Sequence, residues 1–301
     1  MPAAVRHLIV SGLCFAFVHA AVKFIPRIPT HEIVVFRGLI GLLLTWWAVR
    51  RAGLPLWGNN RLMLVFRGLA GTGALILYFH TLQSMPLASA VTIQYLHPIL
   101  TVILATFFLR ESATKTQWLF FALSFVGVML VKGVDSRVTP LDLGLGIASA
   151  MCSAMAYTLI RALRHQDQPL TVMLYLPLMN VLIIGPWTLF HYVHPTLWEV
   201  GVLVFIGVFT QIAQYFMTLA YSEDKAANIS NLNYLGIVYA ALIGYLLYDE
   251  HIDHLSALGM VVITLSAILT SRWTARSRSA EAVTATPSVA QVPPLTEVDR
   301  R

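Results

Sequence analysis

Charge is scarce in this sequence. Asp, Glu, Lys and Arg together make up 11% of its 301 residues, where a soluble globular domain carries about a quarter. With 57% hydrophobic residues the chain cannot build a wet exterior around a core of matching size, which excludes a soluble globule. Acidic residues are scarcest where the chain is most apolar: no Asp or Glu falls near the middle of any apolar stretch. Carboxylate relays are the common way to carry protons through an apolar interior, so any such relay here would have to use histidine. Cys14 and Cys152 lie in apolar runs and read as small hydrophobes, neither ligands nor a disulfide. Catalytic signatures are also missing. "HEIVVF" at 31–36 lacks the second histidine of a zinc motif, and no Gly-x-Ser-x-Gly or Walker lysine occurs. His31 and Glu32 then simply start a helix, and no cofactor or metal is expected.

What the chain does contain is a series of apolar stretches near the roughly 20 residues needed to cross about 30 Å of hydrocarbon as a helix. Ten are expected, at 7–24, 31–49, 63–82, 87–109, 116–132, 141–163, 170–190, 197–221, 226–248 and 255–272. Trp46, Trp47, Trp57, Trp118, Trp187, Trp198 and Trp273 fall at or just beyond their ends, where an indole ring is half dry and its N–H is wet. The fold class that follows is an all-α integral membrane protein of ten transmembrane helices.

Lys and Arg set the expected orientation. Placing the N-terminus in the cytoplasm puts twelve basic residues between Arg6 and Arg278 on that side, against Lys23, Arg27, Lys132 and Arg137 on the other. Both termini are therefore expected inside. The net charge of +6 is mostly this bias, spread over short loops, and not a nucleic-acid footprint. No cleavable signal peptide is expected, since the first apolar segment is long and lacks a small-residue cleavage site before Lys23. Residues 274–301 turn to Ser, Ala, Thr, Pro and charge, the composition of a disordered cytoplasmic tail.

The chain also repeats itself. "YFHTL" at 78–82 recurs as "YFMTL" at 215–219, and "QYLHPILTVILATFFLRES" (94–112) lies over "NYLGIVYAALIGYLLYDEH" (233–251). Ser11 registers with Ser149, Cys14 with Cys152, Lys23 with Arg161 and His19 with Tyr157. The implied units are 1–137 and 138–273, each of five spans. An odd number of spans makes the second unit enter the membrane from the opposite side, and such inverted repeats are a recurrent device of secondary transporters.

Polar residues inside the apolar stretches mark where helices must face each other or water. Gln94, His97 and Thr101 share one helical face, Gln211 and Gln214 another, and Asn231 and Tyr234 a third. A central cavity lined by His19, Tyr78, Gln94, Tyr95, His97, Tyr157, Gln211, Gln214, Asn231 and Tyr234 is expected. His97 either contacts a substrate or satisfies carbonyls freed by Pro98, and Pro98 should bend the fourth helix near Gln94 and act as its hinge. Ile237 holds the matching position in the ninth span, so the two halves should open differently. His80 reads as an interface residue. Arg37 and Arg67, in "FRGLIG" and "FRGLAG", read as side chains snorkelling to headgroups in preference to binding an anion. Gly38, Gly41, Gly68, Gly71 and Gly73 read as points of close helix approach, and Glu111 and Glu250 as solvated carboxylates at helix ends, with a gating ion pair as the alternative.

The pattern "A…YL.P…L…..L.E" in "ASAVTIQYLHPILTVILATFFLRES", with its partial second copy "AANISNLNYLGIVYAALIGYLLYDE", resembles the fourth helix of each half in the drug/metabolite transporter superfamily, specifically its EamA-type members. The resemblance covers about residues 7–272. It implies a bacterial cytoplasmic (inner) membrane protein that exports amino acids or related metabolites, with a small-molecule substrate and lipid as its partners and no nucleic acid. One chain with its own inverted symmetry can close a pathway as a monomer. The rival readings are an intramembrane enzyme, which lacks a catalytic set, and a lipid-handling protein, which leaves the midplane amides and histidines unexplained.

Overall fold

The computed structural model describes residues 3–84, 93–111, 113–131, 139–248 and 254–285, and every regular element among them is helical. In chain order these are α1 (Ala3–Lys23), α2 (Thr30–Arg51), α3 (Arg61–Ser84), α4 (His97–Leu109), α5 (Lys115–Val131), α6 (Pro140–Leu163), α7 (Pro169–Phe190), α8 (Leu197–Glu223), α9 (Ala226–Ile229), a 3-10 turn (Ser230–Tyr234), α10 (Leu235–Tyr248) and α11 (His254–Ala285). Six of them, α1 to α3 and α6 to α8, are long and apolar enough to cross a membrane. The remaining expected spans fall on shorter apolar pieces: α4, α5, the α9–turn–α10 succession, and the part of α11 at Ala257–Thr270. The last helix continues past Trp273 to Ala285, and residues 286–301 of the expected tail lie outside the described residues.

Local chemistry explains where these helices start. Thr139 caps α6 by accepting the Asp142 N–H. Thr196 and Glu199 form a reciprocal capping box at the head of α8, each accepting the other's backbone N–H. α6 and α7 carry proline in the first turn, where a missing N–H costs nothing. Between α2 and α3 the chain turns through Gly53 and Gly58 at φ +66° and +62°. At Gly58 any Cβ would also lie 2.5 Å from Asp167 Oδ1, so the close contact there needs glycine.

The helices pair in a regular way. α1 packs on α8, and α6 on α3; α2 packs on α8, and α7 on α3; α4 packs on α6, and α10 on α1. α2 packs on α7 and α5 on α11. Several approaches are close enough to need glycine: a Cβ on Gly68 would meet the Tyr175 carbonyl at 2.6 Å, and one on Gly127 the Gly259 carbonyl at 2.9 Å. Gly73 is different, with only Cys152 nearby at 3.9 Å. The outside of the bundle is apolar, with Phe107, Phe190 and Leu197 at 77%, 85% and 93% exposure. That surface suits hydrocarbon and not water. Arg50 and Arg51 lie over the rings of Trp46 and Trp47 at 5.7 and 5.3 Å, anchoring one end of α2 at an interface.

Polar ties concentrate at the end where α4, α6 and α8 finish. Arg161 on α6 donates to Glu111 Oε1 at 2.9 Å and to the Ser222 carbonyl at 3.1 Å, and Arg164 approaches Glu111 at 3.4 Å. Asp167 accepts the backbone N–H groups of Asn59 and Asn60, and Tyr175 donates to the Trp57 carbonyl at 2.9 Å. Glu111 is 8% exposed, so it is a buried ion-pair acceptor and not the solvated carboxylate expected of a helix end. Its repeat partner Glu250 lies outside the described residues. At the opposite end Arg27 clasps Glu199 through Nε and Nη2 at 3.1 and 2.6 Å.

Removing one member of a buried pair strands the other, which costs more than removing both. Arg161→Ala should therefore destabilise the detergent-purified protein by about 3 kcal/mol, with Arg164 holding the loss at the low end. Adding Glu111→Gln to Arg161→Ala should recover part of the lost thermal midpoint. A wild-type midpoint for Arg161→Ala would show that the pair contributes nothing.

Candidate functional site

The fourth and ninth spans are both interrupted, and a cavity lies where they break. Chain helical at Ile93–Gln94 turns at Tyr95–Leu96 and resumes at His97, with Pro98 in the first turn of α4. The expected bend in a continuous helix is thus a break: proline occupies the one place in a helix where its absent N–H and fixed φ are tolerated. In the ninth span the 3-10 turn ends at Tyr234 and α10 starts at Leu235, the repeat counterparts of Tyr95 and Leu96. Ile237 does not prevent that interruption. The tight 3-10 turn breaks the α-helix there without a proline, so the two halves are interrupted by different means.

The cavity holds about 200 Å³ and is walled by α1, α2, α3, the Gln94–His97 turn, α6, α7, α8 and the 3-10 turn with the start of α10. Of the ten expected residues, His19, Tyr78, Gln94, Tyr95, His97, Tyr157 and Gln214 line it. His19 and Tyr157, matched by the repeat register, face the same space from α1 and α6. Gln94 is held on both ends of its amide: Nε2 donates to Ser153 Oγ at 2.9 Å, and Oε1 accepts from Ser149 Oγ at 2.8 Å. Tyr95, His97 and Tyr157 form a chain of rings, with centroids 6.2 Å apart for the first pair and 5.1 Å for the second. Tyr157 then stacks on Tyr221 at 5.1 Å.

Gln211, Asn231 and Tyr234 lie outside that lining. Gln211 hydrogen-bonds Thr45 and packs on Gly41, tying α8 to α2. Asn231 donates to Ser266 and Thr270 at 3.1 and 2.8 Å, tying the 3-10 turn to α11. Tyr234 is fully buried behind Tyr95, ring centroids 5.9 Å apart. The cause for the last two is the 3-10 turn. Three residues per turn in place of 3.6 shifts the phase, so Asn233 and Gly236 reach the cavity in their stead.

Arg37 and Arg67 also line the cavity. Arg67 is 1% exposed, so it does not snorkel as its context suggested. A buried arginine inside a membrane is costly enough that a functional reading is the default, and that signal was present in both "FRG" motifs. Gly71, one turn beyond Arg67, serves it directly: a Cβ there would meet Arg67 Nη1 at 2.9 Å and Leu176 Cδ1 at 2.6 Å. His80, by contrast, is exposed beside Phe79 and Trp187 in a separate lateral groove, in keeping with an interface role.

The EamA-like transporter family matches residues 4–133 and again residues 142–272. This chain belongs to that family. A pseudopaline exporter of Pseudomonas aeruginosa is 31% identical over 267 residues, covering 88% of this chain and 94% of that protein. An S-adenosylmethionine uptake transporter of Rickettsia prowazekii is 23% identical over 239 residues, covering 79% and 81%. A solved crystal structure shares the fold with a TM-score of 0.81 at 17% identity, over 91% of this chain and 98% of the other. The chain is accordingly a multi-pass membrane transporter of a small molecule and not an enzyme.

An alanine at position 98 would restore an N–H able to reach the Gln94 carbonyl and carry α4 back through Tyr95–Leu96. Pro98→Ala should slow transport several-fold while changing substrate binding little, as measured on one purified preparation. A rate that is unchanged, or that falls only in step with affinity, would make Pro98 a packing residue and not a hinge.

Proposed function

We propose that the chain is an inner-membrane exporter of amino acids or related small metabolites, working by alternating access between two inverted five-helix halves with both termini in the cytoplasm. The observation that carries this reading is a polar cavity at the break of two helices, set among helix pairings that exchange into one another when the halves are swapped. α1–α8 is answered by α6–α3, α2–α8 by α7–α3, and α4–α6 by α10–α1, while α2–α7 and α5–α11 answer themselves. The family's two successive matches, at 4–133 and 142–272, divide the chain between the same halves. Two halves that can trade roles give two arrangements of similar energy, one open to each side, around one fixed site.

The direction rests on the exporter among the relatives, and the placement of the termini on the charge bias. The cargo class rests on the cavity wall. Hydroxyls, amides and imidazoles fix orientation by hydrogen bonds, while Phe15, Leu75, Leu176 and Met217 supply apolar contact for a variable side chain.

Two measurements test this. Reconstituted into proteoliposomes, the protein should exchange a radiolabelled amino acid or related metabolite against the same unlabelled solute trapped inside; exchange of none of a broad panel would remove the transporter-of-metabolites reading. In a Cys14→Ser, Cys152→Ser background, Ser84→Cys should react with an impermeant maleimide in intact cells and Gln168→Cys only after permeabilisation. The reverse pattern would invert the topology.

A further inference from the structure

We infer that the cavity is an anion site, in which Arg37 and Arg67 together receive a carboxylate-bearing cargo of net negative charge. This deepens the transporter reading and rests on it.

Two guanidiniums face one small cavity, and no Asp or Glu is among the described residues lining it. Arg67 makes one long hydrogen bond, from Nη2 to Gln214 Oε1 at 3.4 Å. Its Nε and Nη1 are buried with no partner, so three of its five N–H groups are unsatisfied. Arg37 makes no hydrogen bond or ion pair among the described residues. A charge withdrawn from water and left unpaired in a membrane interior is strongly unfavourable, and an unpaired guanidinium is a shape that a carboxylate completes through two parallel bonds. Glutamine at either position would avoid the cost. What arginine adds is a binding site for an oxyanion.

The surrounding structure agrees. Gly71 leaves the space into which Arg67 Nη1 projects, and the same space is part of the cavity wall. His97 opens α4 and Gly236 lies in the first turn of α10, so the positive ends of two half-helices reach that wall. An ammonium group finds only neutral partners there. A dicarboxylic amino acid is therefore favoured over a zwitterion, and a cation is excluded.

The test uses the full-length protein purified in detergent, with thermal stabilisation by L-glutamate, L-glutamine, L-arginine and glycerol 3-phosphate, and with counterflow in proteoliposomes from the same preparation. Glutamate should stabilise at concentrations at least about tenfold below glutamine, as a charge-assisted bond implies, and arginine should give no shift. Arg37→Gln and Arg67→Gln should each weaken the glutamate response at least about tenfold, while lysine at either position keeps part of it. Neither glutamine variant should melt below wild type, since Arg67→Gln removes a buried charge and Arg37→Gln one that faces the same cavity; a lower midpoint with unchanged glutamate affinity would mean a structural arginine and end the proposal. Gly71→Ala should weaken glutamate binding with both charges still present. The proposal falls if glutamine or arginine matches glutamate, if the double glutamine variant keeps the response, or if none of the probes stabilises the protein. A stronger response to glycerol 3-phosphate would overturn the carboxylate in favour of phosphate. Counterflow of a neutral solute with no glutamate preference would end the anion site and leave the transporter reading intact, whereas absence of any counterflow would end that reading instead.

Discussion

Hydrocarbon offers no hydrogen bonds, and nearly every feature of this fold answers that one constraint. It allows only helices as regular structure, places their apolar sides outward, and lets the backbone break only where protein or water can take over the freed groups. The interruptions at Tyr95–Leu96 and at Tyr234–Leu235 obey it: both lie at or against the cavity, and Tyr95 and Tyr234 pack on each other between them. Side chains follow the same rule. Ser11, Thr45 and Thr101, within helices, each donate to a backbone carbonyl. Arg67 departs from that rule with two guanidinium nitrogens, Nε and Nη1, buried and unpartnered, and an unpaired charge inside a membrane is where function is expected.

The packing is symmetrical while the chemistry is not. Helix pairings exchange between the halves, yet Arg37 and Arg67 both come from the first half. The second half contributes polar neutral groups instead, Ser153, Tyr157, Gln214 and Asn233. On the transporter mechanism proposed above, helix pairings that exchange would supply the motion, and a site that binds one orientation of an asymmetric solute needs unlike walls. Symmetry in the helix pairing and asymmetry in the lining are thus two separate requirements met by one set of helices.

Much of this was legible from residue patterns alone. The spans follow from apolar length, and seven cavity residues follow from polar groups on shared helical faces. His19 and Tyr157 came from the repeat register, which carries information that periodicity lacks. The failures have definite physical causes. Asn231 and Tyr234 were phased as α-helix, and a 3-10 turn rotates them away. Gln211 was given the right face of α8, but its neighbour there is Thr45 on α2. Arg67 was assigned by its distance from a predicted helix end. Whether such a side chain reaches headgroups or a cavity depends on which helix lies beside it, and a single sequence does not carry that.

Proline marks the fourth span and is missing from the ninth, yet both break at a Tyr–Leu pair. The two breaks reach the same end by different means. Pro98 forbids the bond to Gln94 and prefers a first turn, so α4 has to begin there. In the ninth span Ser230 and Asn233 take up polar groups locally: Tyr221 Oη meets Ser230 Oγ at 3.1 Å and accepts from Asn233 Nδ2 at 2.8 Å, pinning the turn to α8. A break imposed by a missing N–H persists in any arrangement of the helices. One held by hydrogen bonds to a neighbour lasts only while that neighbour stays. The 3-10 turn is therefore the break that would change if α8 moved away, and the Tyr95–Leu96 break is the permanent joint at which α4 would pivot.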